Sequence, residues 1–556
     1  MRGLDGRRTC ASIFSLVVLG ISSPAQTFNN LASFSGDGGA YPVSSLVEGV
    51  DGNFYGTTSE GGSFTCLQSP SGCGTVFKIT PGGVLTTLYS FSGYADGGVP
   101  AGLAQGSDGN FYGTTSYGGS FLACSYGCGT IFKITPAGVF TTLHTFCSTG
   151  SCNDGSYPEA SLLQALNGDF YGATLTGGAH LEGTIFKVTP SGALTTVYSF
   201  CSSTGCTDGE LPCSPLVQDK NGNFYGTANA GGANGLGSIF KMTSTGALST
   251  LYSYALPADR GSCPAAGLVQ GSDGNFYGTT IFGGTYSYGS VFKITPAGAY
   301  TTLYSFCAAA GCPDGAWPES ALIQATDGNL YGVTPGGGGG LFQITTSGML
   351  TPYPLPTSPG SGLDPVGGLL QATDGNLYGT TALGGASGNG TVFSFLTGLD
   401  PFISMLPGAA KLSATVRIIG NNLAGATQVT FNGTTTTFNV SSATQVIAKV
   451  PAGATTGRVQ VTTPGGILAT VVPFYVTPQL LSFSPASGAP GTQVTISGES
   501  LTQTQTVTFG GSVGAKFKVS SDTKITAVVP SSAVSGAVTV YTSGGKAVSA
   551  TVFKVD

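Results

Sequence analysis

One phrase occurs seven times between residues 51 and 379, and this repeat constrains the fold more than any other feature of the sequence. The first copy is Asp51-Gly-Asn-Phe-Tyr-Gly56, and its tyrosine recurs about every 54 residues. That period is typical of one four-stranded blade of a β-propeller with its loops. The other copies begin at Asp108, Asn167, Asn221, Asp273, Asp327 and Asp374.

Each repeat contains four strand signals, called a to d here. In the first copy they are Ser45–Glu48, Asn53–Thr58, Gly74–Thr80 and Leu85–Phe91. The Asp-Gly between a and b favours a two-residue turn, because glycine accepts positive φ. We therefore interpret the repeated aspartate as a turn residue, since the alternating acidic residues of a calcium loop are absent.

The strand count predicts a closed ring. The last repeat has strands a, b and c, the last being Thr391–Phe395, but no strand d. A d-like strand, Leu31–Phe34, precedes the first strand a. We expect these two segments to pair and to complete the seventh blade, because a closed ring hides its sheet edges.

A different unit occurs twice after Asp400, with an offset of 78 to 79 residues. Val429-Thr-Phe-Asn-Gly433 in the first copy matches Val507-Thr-Phe-Gly-Gly511 in the second. Alternating strands and turns of this length predict two small immunoglobulin-like β-sandwiches. The expected fold is therefore all-β: a seven-bladed β-propeller closed by an N-terminal strand, followed by two immunoglobulin-like β-sandwiches. The expected boundaries are 1–25 for a signal peptide, 26–399 for the propeller, and 400–477 and 478–556 for the two sandwiches.

The first residues predict export. Arg2, Arg7 and Arg8 precede an apolar run, Ala11–Ile21, that is too short to span a bilayer. We expect cleavage after Ala25 and a secreted or cell-surface protein. No later apolar run reaches the roughly 18 residues of a membrane span. The net charge of −6 disfavours nucleic acid as a partner.

Twelve of the 13 cysteines lie beyond the expected signal peptide, and an even number is typical of disulfides in an exported protein. A zinc site would need paired Cys-x-x-Cys or Cys/His sets, which the sequence lacks. We expect five local pairs and a sixth between neighbouring repeats: Cys66–Cys73, Cys124–Cys128, Cys147–Cys152, Cys201–Cys206, Cys307–Cys312 and Cys213–Cys263.

The repeated phrases resemble a known family. Gly74-Thr-Val-Phe-Lys-Ile-Thr-Pro81, Leu88-Tyr-Ser-Phe91 and the Asp-Gly-Asn-Phe-Tyr-Gly phrase are similar to the bacterial GloVer-type tandem repeat of "choice-of-anchor" surface and secreted proteins. The similarity covers roughly residues 28–396. The second C-terminal unit contains Ser484-Pro-Ala-Ser-Gly-Ala-Pro-Gly-Thr-Gln-Val-Thr495 and resembles the IPT/TIG family. These resemblances imply an extracellular location and spacer or adhesive modules, and they bring no catalytic residue with them.

Few residues have the chemistry of a catalyst. The only histidines are His144, in a strand d where most repeats have tyrosine, and His180, in a loop. We interpret His144 as a packing substitute and expect no catalytic centre, no cofactor and no metal. A lysine recurs in strand c, as at Lys78, and its stem is expected to lie along a neighbouring blade; the alternative is a cationic arc that attracts an acidic polysaccharide. A binding protein is favoured, and the alternative is a propeller-type polysaccharide lyase or glycoside hydrolase that uses carboxylates in the central channel.

The variable loops locate the expected binding face. The a–b and c–d turns are short and uniform and form one face, here the turn face. The b–c and d–a loops vary and form the other, here the variable face, where binding usually resides. Tyr41, Tyr157 and Trp317 share a position before proline, so they are also interpreted as packing residues between blades. We expect a monomer that binds an extracellular glycan or protein on the variable face through Tyr117, Tyr126, His180, Tyr286, Tyr288 and Trp317.

Overall fold

The computed structural model describes residues 27–66, 70–255, 264, 266–511 and 514–556. The expected signal peptide and Cys263, hence the pairing of Cys213, lie outside the described residues. Every regular element among the described residues is a β-strand, which confirms the all-β fold class. None of these residues forms a helix long and apolar enough to cross a membrane.

Thirty strands make up the described part of the repeat region, and most have five or six residues. In chain order they are β1 Thr27–Ser33, β2 Val47–Glu48, β3 Phe54–Thr58, β4 Thr75–Ile79, β5 Leu85–Ser90, β6 Gly98–Gln105, β7 Phe111–Tyr117, β8 Thr130–Ile134, β9 Phe140–Thr145, β10 Leu163–Gln164, β11 Phe170–Thr174, β12 Thr184–Val188, β13 Leu194–Ser199, β14 Val217–Gln218, β15 Phe224–Ala228, β16 Ser238–Met242, β17 Leu248–Ser253, β18 Val269–Gln270, β19 Phe276–Thr280, β20 Ser290–Ile294, β21 Tyr300–Ser305, β22 Ile323–Gln324, β23 Leu330–Thr334, β24 Gly340–Ile344, β25 Leu350–Pro354, β26 Gly362–Leu363, β27 Leu370–Gln371, β28 Leu377–Thr381, β29 Leu383–Gly384 and β30 Thr391–Leu396.

These strands form seven four-stranded antiparallel sheets within the described residues, besides the small pair β26–β29. Six sheets use four consecutive strands in the order a-b-c-d, as in β2-β3-β4-β5. The seventh has the order β1-β30-β28-β27, so β1 takes the place of its strand d. Ala32 pairs with Val392 and Ser33 with Thr391, which is the pairing that the strand count predicts.

Neighbouring sheets pack through aromatic side chains of strand b. Tyr55 of the first sheet stacks on Phe111 of the second, with ring centroids 4.1 Å apart. Tyr378 of the seventh sheet packs in the same way on Phe54 of the first, at 4.2 Å. The last sheet therefore contacts the first through the same kind of joint that links consecutive sheets.

A polar joint repeats beside the aromatic one. The Gln371 side-chain oxygen accepts a hydrogen bond from the Thr326 amide of the preceding sheet, at 3.0 Å. At the contact between the seventh and first sheets, Glu48 replaces the glutamine and accepts bonds from the Thr373 amide and hydroxyl, at 2.8 and 2.6 Å. One such joint thus connects the two ends of the repeat region.

The C-terminal part consists of two sandwiches with separate apolar cores. Val429 and Phe431 are buried in the first core, and their counterparts Val507 and Phe509 are buried in the second. The strands of the first are β31 Ile403–Leu406, β32 Ala409–Ala410, β33 Thr415–Gly420, β34 Gln428–Phe431, β35 Thr434–Thr435, β36 Phe438–Ser442, β37 Gln445–Lys449, β38 Val459–Thr463, β39 Gly466–Ala469 and β40 Tyr475–Val476. Those of the second are β41 Gln479–Ser484, β42 Ser487–Gly488, β43 Gln493–Glu499, β44 Thr504–Phe509, β45 Lys516–Ser521, β46 Lys524–Val528, β47 Gly536–Thr542 and β48 Gly545–Val555.

Candidate functional site

The repeated aspartate forms its hydrogen bonds inside its own turn. Asp51 accepts a bond from the Asn53 amide at 3.2 Å through Oδ1 and from the Tyr55 hydroxyl at 2.7 Å through Oδ2. Burial, and then the neighbouring Asp51, raises the pKa of Tyr55 above its ordinary value. Where the phrase begins with Asn221, a nearby carboxylate stands in: Asp219 accepts a 3.3 Å bond from Tyr225. The repeated phrase is therefore a turn and packing motif.

The strand-c lysines also bind within their own repeat. Lys133 Nζ lies 3.0 Å from Asp108 Oδ2 and 5.4 Å from the centre of the Tyr112 ring. Lys78 makes the equivalent ion pair with Asp51 at 3.7 Å. The ammonium group thus lies over the tyrosine ring of its own sheet. An aspartate thus faces the ammonium groups of Lys78, Lys133 and Lys187, so these three lysines do not form a free cationic arc.

The first sandwich packs on the turn face where strands a of the seventh and first repeats end. The Phe402 amide donates to the Thr373 carbonyl at 3.0 Å, and Asn421 Nδ2 donates to the Thr373 hydroxyl at 2.9 Å. Thr444 donates to the Val50 carbonyl at 3.1 Å. A ligand that approached the ends of strands a from this side would meet the sandwich, which leaves the variable face as the candidate site.

Three aromatic residues on the variable face form one group, the first cluster. It consists of Tyr117, Tyr126 and Tyr157, and Glu159 lies beside it. The ring of Tyr117 lies 6.4 Å from that of Tyr126 and 5.7 Å from that of Tyr157. Burial raises the pKa of Tyr117, and the nearby Glu159 raises it further. Tyr126 is 50% exposed, so the cluster presents an accessible ring.

A second cluster has a similar composition three repeats later. It consists of Tyr288 and Trp317, whose ring centroids lie 5.8 Å apart, with Glu319 two residues beyond the tryptophan. Trp317 is 39% exposed. Tyr286 is exposed in the same loop as Tyr288. His180 is exposed in a different loop and belongs to neither cluster.

The backbone before the shared proline explains why these rings face outward. Tyr157 and Trp317 have φ of 57° and 56°, in the left-handed region that bulky residues rarely adopt. The Tyr157 amide donates to the Cys128 carbonyl at 2.9 Å, and the Trp317 amide donates to the Tyr288 carbonyl at 2.8 Å. The main chain therefore makes the contact between neighbouring sheets, and the side chains stay partly exposed.

Disulfides hold loops of the variable face, including those beside the first cluster. The structure contains the five local disulfides expected from the spacing: Cys66–Cys73, Cys124–Cys128, Cys147–Cys152, Cys201–Cys206 and Cys307–Cys312. The four sulfur atoms of the second and third all lie within 4.8 Å of one another, next to the first cluster. Because these sulfurs are bonded in pairs, we assign them to loop structure and not to metal binding.

A cavity of about 200 Å³ lies where the strands a begin, and residues from all seven repeats line it. Glu159 and Glu319 both border this cavity. Both side chains are accessible, but crowding by protein atoms removes water from around the carboxylates and raises the pKa of each; Asp364 raises that of Glu319 further. Our sequence reasoning missed these glutamates. An alignment of the repeats could have identified them. Each follows the shared proline, at a position where other repeats have small or apolar residues such as Val43 and Ala101.

The comparison with protein families covers most of the chain. The model described as the Gloeobacter/Verrucomicrobia repeat matches residues 12–165, 65–271, 123–340 and 214–447. The IPT/TIG domain model matches residues 478–555. No curated protein matches the sequence.

The similar solved structures are distant. A surface glycan-binding protein from Prevotella bryantii is 19% identical, over 26% of this chain and 38% of that one, with a TM-score of 0.22. SGBP-B from a xyloglucan utilization locus of Bacteroides uniformis is 20% identical over 27% and 48%, with a TM-score of 0.14. A fungal alcohol oxidase of the AA5 family is 13% identical over 93% and 97%, with a TM-score of 0.42. The chain thus spans less than half the length of the first two, and such loose superpositions say nothing of what it binds.

The family assignment rests on the repeat itself. The matches of the repeat model together extend from residue 12 to residue 447 of the 556, and both resemblances noted in the sequence are confirmed. The chain belongs to the Gloeobacter/Verrucomicrobia repeat family and carries a C-terminal IPT/TIG domain.

Proposed function

We propose that this chain is a secreted or cell-surface binding protein without catalytic activity. In this proposal the seven sheets are the blades of one propeller, residues 26–399, followed by IPT/TIG-like domains at 400–477 and 478–556. The variable face binds an extracellular glycan or protein. The observation that carries the proposal is the pair of exposed aromatic clusters on that face, opposite the face that the first sandwich covers.

The scaffold suits this role. The aromatic and polar joints between sheets hold the strands, so the loops project from a rigid base. The short disulfides fix the loops before any ligand arrives, and preorganised loops lose less conformational entropy on binding. Disulfides are also typical of proteins exported to an oxidising compartment.

The test is a triple variant of exposed tyrosines: Tyr126→Ala, Tyr286→Ala and Tyr288→Ala. Screening of the wild-type protein on an array of extracellular glycans identifies a ligand, and its affinity for the variant is then measured by calorimetry. We expect an affinity at least about tenfold weaker with little change in melting temperature, because the rings are solvent-exposed. Unchanged affinity, or a ligand seated against the Asp-Gly-Asn turns, would contradict the assignment of the face.

One observation favours a second candidate, a polysaccharide lyase or glycoside hydrolase. Glu159 and Glu319 border the same cavity, and crowding by protein atoms, which removes water from around the carboxylates, raises the pKa of both, as a general acid requires. Incubation of the protein with a polysaccharide library tests this candidate. Turnover that Glu159→Gln or Glu319→Gln abolishes would establish an enzyme; binding without turnover supports the first proposal.

A further inference from the structure

The two clusters share the same arrangement of residues. In each, an aromatic side chain at or near a b–c loop meets the aromatic residue that precedes the shared proline of the next repeat: Tyr117 meets Tyr157, and Tyr288 meets Trp317. In each, the residue after that proline is a glutamate. Only these two repeats have an aromatic residue immediately before the shared proline and a glutamate immediately after it.

The glutamate beside each cluster borders one opening. Glu159 beside the first cluster and Glu319 beside the second line the cavity of about 200 Å³ at the starts of strands a. The clusters are three repeats apart, so they lie on different sides of that cavity. A ligand long enough to touch both would cross it.

The charges on the variable face are of one sign within the described residues. Every described lysine of the repeat region lies on a strand c or, for Lys220, next to an a–b turn, and arginine is absent from this described set. Glu182 and Asp208 help to raise the pKa of Glu210, after burial, which shows that the carboxylates here affect one another. The acidic side chains on this face are Asp37, Glu60, Asp96, Asp154, Glu159, Glu182, Asp208, Glu210, Asp314, Glu319 and Asp364. Such a face repels polyanions.

We propose that the two clusters are two subsites for a single uncharged polysaccharide chain, which lies across the cavity opening; this rests on the proposed binding function. Sugar rings offer apolar C–H faces that pack on exposed aromatic rings. Their hydroxyl groups donate to carboxylates such as Glu159 and Glu319, and hydrogen bonds to a charged acceptor are the stronger ones. A chain of uronic acids finds no cationic partner among the described residues of this face and is excluded.

Chain length gives the first test. Calorimetry with cello-, xylo- and manno-oligosaccharides of about two to eight sugars, and with their polysaccharides, measures affinity and stoichiometry. For the sugar type that binds, we expect two disaccharides per protein but one long chain. We expect the long chain to bind about 100-fold more tightly, because the second contact is then intramolecular. Oligogalacturonate and chitosan oligomers are the anionic and cationic probes.

Single-cluster variants give the second test. Tyr126→Ala removes a ring from the first cluster, and Trp317→Ala or Tyr288→Ala removes one from the second. We expect each to lower the long-chain affinity at least about tenfold and to reduce the disaccharide stoichiometry from two to one. Tyr94→Ala is the matched control, since Tyr94 is exposed on a d–a loop outside both clusters. Melting temperatures identify any variant that fails to fold, and Tyr288→Ala then replaces Trp317→Ala.

The outcomes separate this inference from the proposed function. Two results would leave the binding function intact and overturn the two-subsite inference. One is that the affinity for neutral chains does not depend on their length, and the other is that a variant of a single cluster abolishes their binding entirely. Binding of oligogalacturonate, or of chitosan oligomers alone, would overturn the uncharged ligand class. Binding of none of these carbohydrates, with binding of an extracellular protein instead, would overturn the inference and retain the broader function.

Discussion

His144 occupies a position at which most repeats have tyrosine, and it makes the contact of that tyrosine. Its Nε2 lies 2.9 Å from Asp154 Oδ2. In another sheet the Tyr304 hydroxyl donates to Asp314 at 2.8 Å. The strand-d aromatic residue therefore has a hydrogen-bonding role as well as the packing role that we inferred from the sequence.

We predict that His144→Tyr folds with unchanged stability and that His144→Phe lowers the free energy of unfolding by about 1 kcal/mol, because the second change removes a net hydrogen bond. Chemical denaturation of the two variants measures the difference. Equal stability of the Phe and Tyr variants would mean that packing alone matters here.

Glu48 is a carboxylate at a position of the polar joint where Gln371 of the neighbouring joint has a neutral amide. Burial is the main reason that its pKa lies above its ordinary value, although the Thr373 bonds act in the opposite direction. A carboxyl whose pKa is higher in the folded protein stabilises the fold below its unfolded pKa, and this stability is lost as the pH rises through the folded pKa. We predict that Glu48→Gln raises the melting temperature at pH 7 and that the gain disappears below about pH 4.

Gln371 holds the equivalent position in the neighbouring joint, so it shows which contacts a glutamine makes there and also serves as the control. Its side chain accepts from the Thr326 amide and donates to the Thr326 hydroxyl, at 3.0 and 3.1 Å, so a glutamine at position 48 finds equivalent partners on Thr373. Gln371→Glu should lower stability at pH 7 by the reverse argument. Calorimetric melting from about pH 4 to pH 8 tests both, and a destabilised Glu48→Gln variant at pH 7 would refute the prediction.

Single side chains were the hardest feature to predict. Tyr126 and Trp317 were selected because large aromatic residues in loops are conspicuous. Glu159 and Glu319 were missed, because a glutamate after a proline has no signal until the repeats are aligned and its counterparts prove small. That both border one cavity depends on how the sheets are arranged, which local sequence does not contain.

The close fit between strands b and c depends on the glycine of strand b, over which a phenylalanine of strand c packs. A Cβ on Gly226 would lie 2.6 Å from the Phe240 ring on strand c, and the glycines at the same position of the other repeats meet the same obstacle. The phenylalanine thus packs directly over the strand-b backbone. This contact explains why the repeated phrase ends in glycine.

We predict that Gly226→Ala lowers the free energy of unfolding by about 1–3 kcal/mol, since the buried Phe240 ring must shift. Gly82→Ala is the control, because a Cβ there meets only Thr80 Oγ1 at 3.8 Å and its backbone is not in the left-handed region. Urea unfolding of both variants provides the comparison. Equal losses of stability in the two variants would show that chain entropy, and not crowding by the Phe240 ring, determines the effect of replacing Gly226.

In the first repeat, strands b, c and d lie within about a residue of their expected positions, but strand a is shorter. We expected Ser45–Glu48, and the hydrogen-bonded ladder is Val47–Glu48. The Ser44 hydroxyl then bonds to the Thr57 hydroxyl at 2.8 Å, so side chains replace the first ladder bonds. The alternation of residue types in the sequence cannot reveal that side-chain hydrogen bonds take the place of backbone bonds here.

The joint between the last and first sheets should be as strong as the others. Phe34, which follows β1, is fully buried and its ring lies 5.0 Å from that of Phe77 in the first sheet. Phe91 holds the equivalent place one sheet later, 5.3 Å from Phe132, and is also fully buried.

We therefore predict that Phe34→Ala and Phe91→Ala lower the free energy of unfolding equally, by about 3–5 kcal/mol each. Differential scanning calorimetry on the full chain measures both. A much smaller effect at Phe34 would mean that the N-terminal strand is dispensable and that the repeat region is not a closed cooperative unit.

The closing strand was predictable because it follows from counting strands, whereas the position of the first sandwich was not. Its hydrogen bonds to the repeats include those of Phe402, Asn421 and Thr444, which share no pattern and carry no charge. Only the packed structure shows that they bury one end of the strands a.

The pairing of β1 with β30 also determines how the repeat region responds to tension. Thr27 pairs with Leu396 and Ser33 with Thr391, so the chain enters β1 and leaves β30 at the same end of the antiparallel pair. A pulling force between residues 27 and 396 would break the bonds between these strands one at a time, as a zipper opens, and would never load them together. The seam that we expect to withstand heat as well as any other joint is therefore the place where the repeat region would open under mechanical load.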